Sequence, residues 1–196
     1  MAGINVYILL LCLLPASVLP DFAARKLCHA GCGFGIMCLD SSELLDCSFV
    51  WVVAASSIAM AWIPTLPQFR FARPRDVGIT AYLLLVSLWF GAGLPSPLLA
   101  PLFFADPAGA VVGKLVTHHA PSLNPIWYSN KTVCGTLAVV AVTYGTVPFS
   151  EPAALRLSVA LLAGAAEAVG GEYDNVALGA VVVLGWQISE WSSASS

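Results

Sequence analysis

Eight apolar runs, parted by short polar breaks, fill this chain: they fall near residues 4–20, 27–39, 48–66, 78–94, 98–116, 133–148, 154–170 and 176–191. Apolar runs of this length predict helices rather than strands. A helix that crosses a bilayer needs about 20 such residues. The run 27–39 is too short to cross alone if straight, so it either re-enters or continues past Asp40. The pattern therefore predicts an all-α chain, a polytopic transmembrane helical bundle of seven or eight membrane helices, with eight preferred. Pro95-Ser96-Pro97 is a tight break between two of them. No internal repeat interrupts the series. One integral membrane domain is expected over 1–191, with a disordered tail at 192–196.

Composition strengthens the membrane reading. Of 196 residues, 59% are hydrophobic and 10% charged, against about 25% charged in soluble domains. Mean hydropathy is +0.86. There are too few polar side chains to cover a water-facing surface, so lipid must cover the rest. The net charge is −3, and no basic region is interleaved with aromatics, which argues against a nucleic-acid partner. The segment Met1–Pro20 has the apolar stretch of a signal peptide. No Lys or Arg precedes that stretch and no clear small-x-small site follows it. It is read as the first membrane helix.

The placement of charge favours eight crossings. One side then receives Arg25, Lys26, Arg70, Arg73, Arg75, Lys114 and Lys131, seven of the eight basic residues, while the other receives only Arg156. Cytoplasmic loops collect Lys and Arg, so the basic side is expected to face the cytosol, or the stroma in a plastid. Arg70, Arg73 and Arg75 read as a topological anchor or headgroup patch. His118 and His119 read as solvated loop residues. The six cysteines are Cys12, Cys28, Cys32, Cys38, Cys47 and Cys134. Cys28 and Cys32 share a helical face, but C-x-x-C pairing is absent, and buried, inert thiols are expected rather than a zinc site.

Four polar constellations remain, all on the basic side. The first is Arg25-Lys26-Leu27-Cys28-His29. Its plain reading is an interfacial anchor, and its functional reading is a phosphate contact. The second is Ala105-Asp106-Pro107-Ala108-Gly109 through Gly113-Lys114. A carboxylate deep in a bilayer costs at least about 2.5–3.5 kcal/mol, and a proline break beside it is tolerated where backbone lines a cavity. Asp106 suits Mg²⁺ as a hard oxygen donor, and the small residues admit a helix or a ligand. The third is Lys131-Thr132-Val133-Cys134-Gly135-Thr136, which opens an apolar helix. A lysine beside helix-start N–H groups makes an anion site, although a plain cap explains it too, and no P-loop is present. The fourth is Glu167 followed by Gly170-Gly171-Glu172-Tyr173-Asp174-Asn175. Glu167 lies in an apolar run, and Asp174-Asn175 can cap the last helix or bind metal.

Taken together and in order, these motifs resemble the CTP-dependent polyprenol kinase family, which holds dolichol, phytol and farnesol kinases and CTP-dependent diacylglycerol kinases, and is related to phosphatidate cytidylyltransferases. The matching residues are Arg25, Lys26 and His29; Asp106, Gly113 and Lys114; Lys131, Thr132, Gly135 and Thr136; and Glu167, Asp174 and Asn175. The chain departs from the family pattern at Ala105 and Gly109, in the long link 115–129, and in lacking a proline after Asn175. The resemblance implies transfer of the γ-phosphate of CTP to a lipid alcohol, in a multi-pass protein of the endoplasmic reticulum or plastid membrane. It implies Mg²⁺ on Asp106 and Asp174, and triphosphate contacts from Lys131, Lys114, Arg25 or Lys26, Thr132, Gly135, Thr136 and Asn175. Asp106 or His29 is the candidate base. Two other classes fit the same residues: a cytidylyltransferase making a CDP-lipid, and a non-enzymatic transporter or scaffold with Asp106 and Glu167 as an ion relay.

Overall fold

Prolines, glycines and caps set where each helix starts and stops. Asp76 opens one helix by accepting the Ile79 N–H at 3.0 Å, and Thr132 opens another by accepting from Gly135 N–H at 3.3 Å; both are N-cap bonds that satisfy first-turn donors. The computed structural model describes residues 2–149 and 153–194. Among these the chain is all-α apart from one small hairpin. In order come α1 (Ala2–Leu13), α2 (Asp21–Met37), α3 (Leu44–Trp62), α4 (Val77–Gly91), α5 (Ala100–His119), α6 (Val133–Thr146), α7 (Ala153–Val169) and α8 (Asp174–Ala194). The hairpin lies between α5 and α6 and pairs β1 (Ile126–Tyr128) with β2 (Lys131–Thr132), antiparallel.

Each expected apolar run has its helix, with shifted bounds. α2 begins at Asp21, ahead of the expected run, and is 17 residues long. Two helical segments are long and apolar enough to cross a membrane on their own, Leu44–Trp62 and Ser96–His119. The other helices do not reach that length and apolarity on their own, so seven or eight crossings are not shown. α1, α4 and α6 span 12, 15 and 14 residues, or about 18–23 Å at 1.5 Å per residue. α8 has the length, at 21 residues, but carries Gln187, Ser189, Glu190, Ser192 and Ser193.

Two further expectations are revised. The tail was expected to be disordered from 192, yet α8 runs through Ala194, where the Ser192 and Ser193 hydroxyls bond back to the Ile188 and Ser189 carbonyls at 2.9 and 3.0 Å; residues 195–196 lie outside the described residues. His118 and His119 close the last turn of α5 instead of sitting in a loop, and both are exposed. The chain divides into two compact units, residues 1–96 and 97–196.

In the first unit, Tyr7 of α1 donates to the Leu27 carbonyl of α2 at 2.8 Å, beside a small core of Leu11, Ala24 and Phe71. Arg70 is more than an anchor: it pairs with Asp21 and donates to the Leu19 carbonyl at 2.9 Å, tying the loop after α3 to the α1–α2 corner. Trp51 and Trp62 of α3 reach α4 through the Ser87 carbonyl (3.0 Å) and Thr80 Oγ1 (2.9 Å). All six cysteines are free thiols; Cys28 and Cys32 do share a face, with Sγ atoms 3.8 Å apart.

In the second unit, α5 and α6 meet through glycines. A Cβ built on Gly109 would come within 2.6 Å of Val139 and 3.1 Å of the Gly135 carbonyl, and one on Gly135 within 3.0 Å of the Gly109 carbonyl. The small residues of the second motif thus admit a neighbouring helix, in the small-xxx-small manner of Gly109 and Gly113. Asn124, 3% exposed, locks this corner. It donates to the Gly113 carbonyl and Thr117 Oγ1 and accepts the Cys134 N–H, each at 2.8 Å.

Candidate functional site

Four segments distant in sequence bring charge to one place in the second unit. Asp106 comes from α5, one residue before Pro107 inside the helix. Lys131 stands on β2, delivered by the hairpin turn just ahead of α6. Glu167 lies in the last turn of α7, and Asp174 is the first residue of α8. Carboxylate oxygens of Asp106, Glu167 and Asp174 all lie within 4.8 Å of one another. Lys131 Nζ is bonded to Glu167 Oε1 and to Asp174 Oδ2, the latter at 3.3 Å. Glu167 is buried, and the other three are partly buried.

The turn between α7 and α8 explains how Glu167 and Asp174 meet. Gly171 sits at φ +58°, in the left-handed region open to glycine at little cost. A Cβ on Gly170 would lie 2.6 Å from Asp174 Cα and 2.8 Å from the Ala166 carbonyl. Only a glycine pair lets the chain reverse this tightly, and that reversal sets Asp174 beside the end of α7.

The charge of the cluster suits a cation. Two unit charges 4 Å apart interact by about 4 kcal/mol at an effective dielectric of 20, so three carboxylates this close repel strongly unless compensated. Lys131 supplies one positive charge against the three. Burial alone would lower its pKa, but Glu167 and Asp174 outweigh burial and hold it above its ordinary 10.5, so it stays charged at physiological pH. A bound cation would offset the mutual repulsion of the carboxylates.

The donor set fits Mg²⁺. All the ligands are hard oxygens, as that ion requires. Next to them the Asn175 side chain donates to Asp174 Oδ1 at 3.1 Å, while its own Oδ1 is buried without a hydrogen-bond partner. A buried acceptor left unmatched costs about 1–3 kcal/mol, and a bound cation would remove that cost.

The structure brings together Asp106, Lys131, Asp174 and Asn175 among the residues expected from sequence. It adds Glu167, to which the motifs give no metal role; the signal was an acid inside an apolar run. Thr132, Gly135 and Thr136 lie at the start of α6 just after Lys131, where both hydroxyls accept hydrogen bonds and keep their own O–H to donate. The Thr132 hydroxyl caps Gly135 N–H, Gly135 packs against α5, and Thr136 Oγ1 accepts from Trp127 Nε1 at 2.8 Å. Lys114 is exposed on α5, about 12 Å of helix rise beyond Asp106. Arg25, Lys26 and His29 all lie on α2 in the first unit. There Arg25 pairs with Asp76 at 2.6 Å, and His29 packs on Tyr82 with ring centroids 4.5 Å apart.

Asn124 and the β1–β2 hairpin escape the sequence reading, which treats 115–129 as a link. The available signal was one amide, Asn124, amid Leu123, Pro125, Ile126 and Trp127. No protein-family model, curated protein or solved structure matches this chain.

Proposed function

We propose that the chain is a multi-pass membrane enzyme that transfers the γ-phosphate of CTP to the hydroxyl of a lipid alcohol. The observation that carries this is the meeting of Asp106, Glu167 and Asp174 with Lys131, from four segments of the second unit. Phosphoryl transfer calls for positioning and charge neutralisation more than covalent chemistry, and this cluster offers both.

In this reading Asp106, Glu167 and Asp174 would hold Mg²⁺, with Asn175 Oδ1 as a further oxygen. When bound, the ion would neutralise triphosphate charge and fix its orientation. Lys131 would exchange part of its bonding to Glu167 and Asp174 for phosphate oxygens as the nucleotide arrives. Asp106 would accept the proton of the attacking hydroxyl; a loose transition state asks little more of a base. Arg25, held by Asp76, is given no phosphate contact, and His29 no base role. The lipid would enter from the bilayer side. Polyprenol, phytol, farnesol and diacylglycerol all present a hydroxyl on an apolar chain, and a pocket gains only about 0.8 kcal/mol per methylene with which to tell them apart.

The two apolar segments Leu44–Trp62 and Ser96–His119 support a membrane setting. The sorting of seven of eight basic residues supports eight crossings, with the shorter helices tilted little or meeting a locally thinned bilayer. The active face would look to the cytosol, or to the stroma in a plastid, from an endoplasmic reticulum or plastid membrane.

Product analysis tests the reaction. Membranes carrying the protein are given Mg²⁺, a lipid-alcohol panel, and CTP labelled at the α- or the γ-phosphate. γ-label in a lipid monophosphate, with CDP released, is the expected result. α-label in the lipid with pyrophosphate released would instead make it a cytidylyltransferase. No transfer, with ion flux in liposomes, would make it a transporter.

A further inference from the structure

We infer that the β1–β2 hairpin is a membrane-interface anchor, which seats Lys131 at the headgroup layer of the bilayer. This rests on the multi-pass reading above and extends it to how the site is held at the lipid surface. Ile126, Trp127 and Tyr128 form β1, and their exposures are 65%, 47% and 45%; Leu123 just before them is 71% exposed. This many large apolar side chains on one short non-helical segment is poorly suited to water.

The hairpin cannot lie in hydrocarbon either. A sheet of two strands has two open edges, and unpaired backbone groups in the bilayer core cost several kcal/mol each. The headgroup layer resolves both demands. It hydrates the strand edges and takes up the amphipathic rings of Trp and Tyr. Charge points to the same layer: from 107 to 150 the chain has no Asp or Glu, yet apart from the paired Lys131 it carries Lys114, His118 and His119. Such a segment complements the anionic lipids of a cytoplasmic leaflet.

The hairpin is also braced well enough to fix a depth. Val133 N–H donates to the Pro125 carbonyl at 3.0 Å, closing the loop base. Trp127 is tied to α6 through Thr136, and Asn124 ties the entry of the hairpin to α5 and α6. The strand register pairs Tyr128 with Lys131. The depth of the aromatic strand therefore sets the depth of the lysine that reaches Glu167 and Asp174.

Fluorescence quenching of the full chain in nanodiscs of phosphatidylcholine and phosphatidylserine tests this without any nucleotide. Nitroxide-labelled lipids carry the label beside the headgroup or at the chain end, and iodide serves as the aqueous quencher. The emission difference between wild type and Trp127→Phe isolates Trp127. It should fall severalfold with the headgroup label and little with the chain-end label or iodide. Tyr128→Trp placed in the Trp127→Phe background gives a second probe on the same strand and should repeat the pattern. Strongest quenching by iodide, or by the chain-end label, would overturn the inference. The same subtraction with Trp51→Phe reports on α3. If lipid labels quench Trp51 but not the hairpin probes, this inference alone fails. If they quench neither, the membrane reading fails with it.

Discussion

Lys131 is the residue on which the cluster balances. It faces Glu167 and Asp174 at once, with its side chain 22% exposed. Removing one partner of a buried ion pair costs about 3–5 kcal/mol; the partial exposure here lowers that to about 2 kcal/mol or more. Lys131→Met should therefore lower the thermal midpoint in detergent, and adding Glu167→Gln should recover part of the loss because it removes one of the stranded charges. Simple additivity of the two changes would show that they do not interact. The pH dependence has a definite sign. A lysine whose folded pKa is raised adds stability that is complete below its ordinary value, here 10.5, and is lost as the pH climbs through the higher folded value. Stability measured between pH 7 and 10 should show no change attributable to Lys131, and a decline above that range should be absent from Lys131→Met. At this scale most of the site was legible in the sequence, because Asp106, Glu167, Lys131 and Asp174 are charged residues within or beside apolar runs and a bilayer penalises each of them. The surroundings of Thr132 and Thr136 were less legible. Sequence does not reveal that their hydroxyls already cap α6 and hold Trp127.

At the level of elements, two glycine devices set the geometry. Gly109 and Gly135 let α5 and α6 approach, and Gly170-Gly171 reverses the chain between α7 and α8. Gly170→Ala should force Asp174 away from Glu167, since the added methyl meets backbone at 2.6 and 2.8 Å rather than a mobile side chain. The expected outcome is about 10²-fold lower turnover, the scale at which losing one preorganised transition-state contact is felt, with retained helical circular dichroism. Wild-type turnover in this variant would show that the turn does not position Asp174. Helix existence was legible from the apolar runs, because each run needs somewhere to bury or dissolve its side chains. Helix ends were not. α2 starts ahead of its run at Asp21, where the fixed φ of Pro20 suits a helix start, and α8 continues past its run to Ala194, with its serine hydroxyls bonded to the carbonyls four residues back. The hairpin was invisible because three strand residues carry no usable period.

For the whole molecule, the sequence pattern foretold an all-α chain but not its division into two units at residues 96 and 97. That boundary lies within Pro95-Ser96-Pro97, read as a mere helix break. Eight crossings would place the basic loops together and leave the exposed Cys38, next to the loop 40–47, on the opposite side. In sealed vesicles, with the other five cysteines replaced, a membrane-impermeant maleimide should reach Cys38 only from the face opposite Lys26 and Arg73. Labelling from the same face as those residues would require an even number of crossings between them.

The function proposed for the whole molecule comes down to whether Asp106, Glu167, Asp174 and Lys131 grip a metal–triphosphate. Calorimetric titration of the purified protein with CTP, in the presence and absence of Mg²⁺, reads this directly. Binding that requires Mg²⁺, and that disappears in Asp106→Asn and Asp174→Asn while their thermal midpoints hold, is the predicted result. CTP binding that is indifferent to Mg²⁺, or unchanged in both variants, would contradict it.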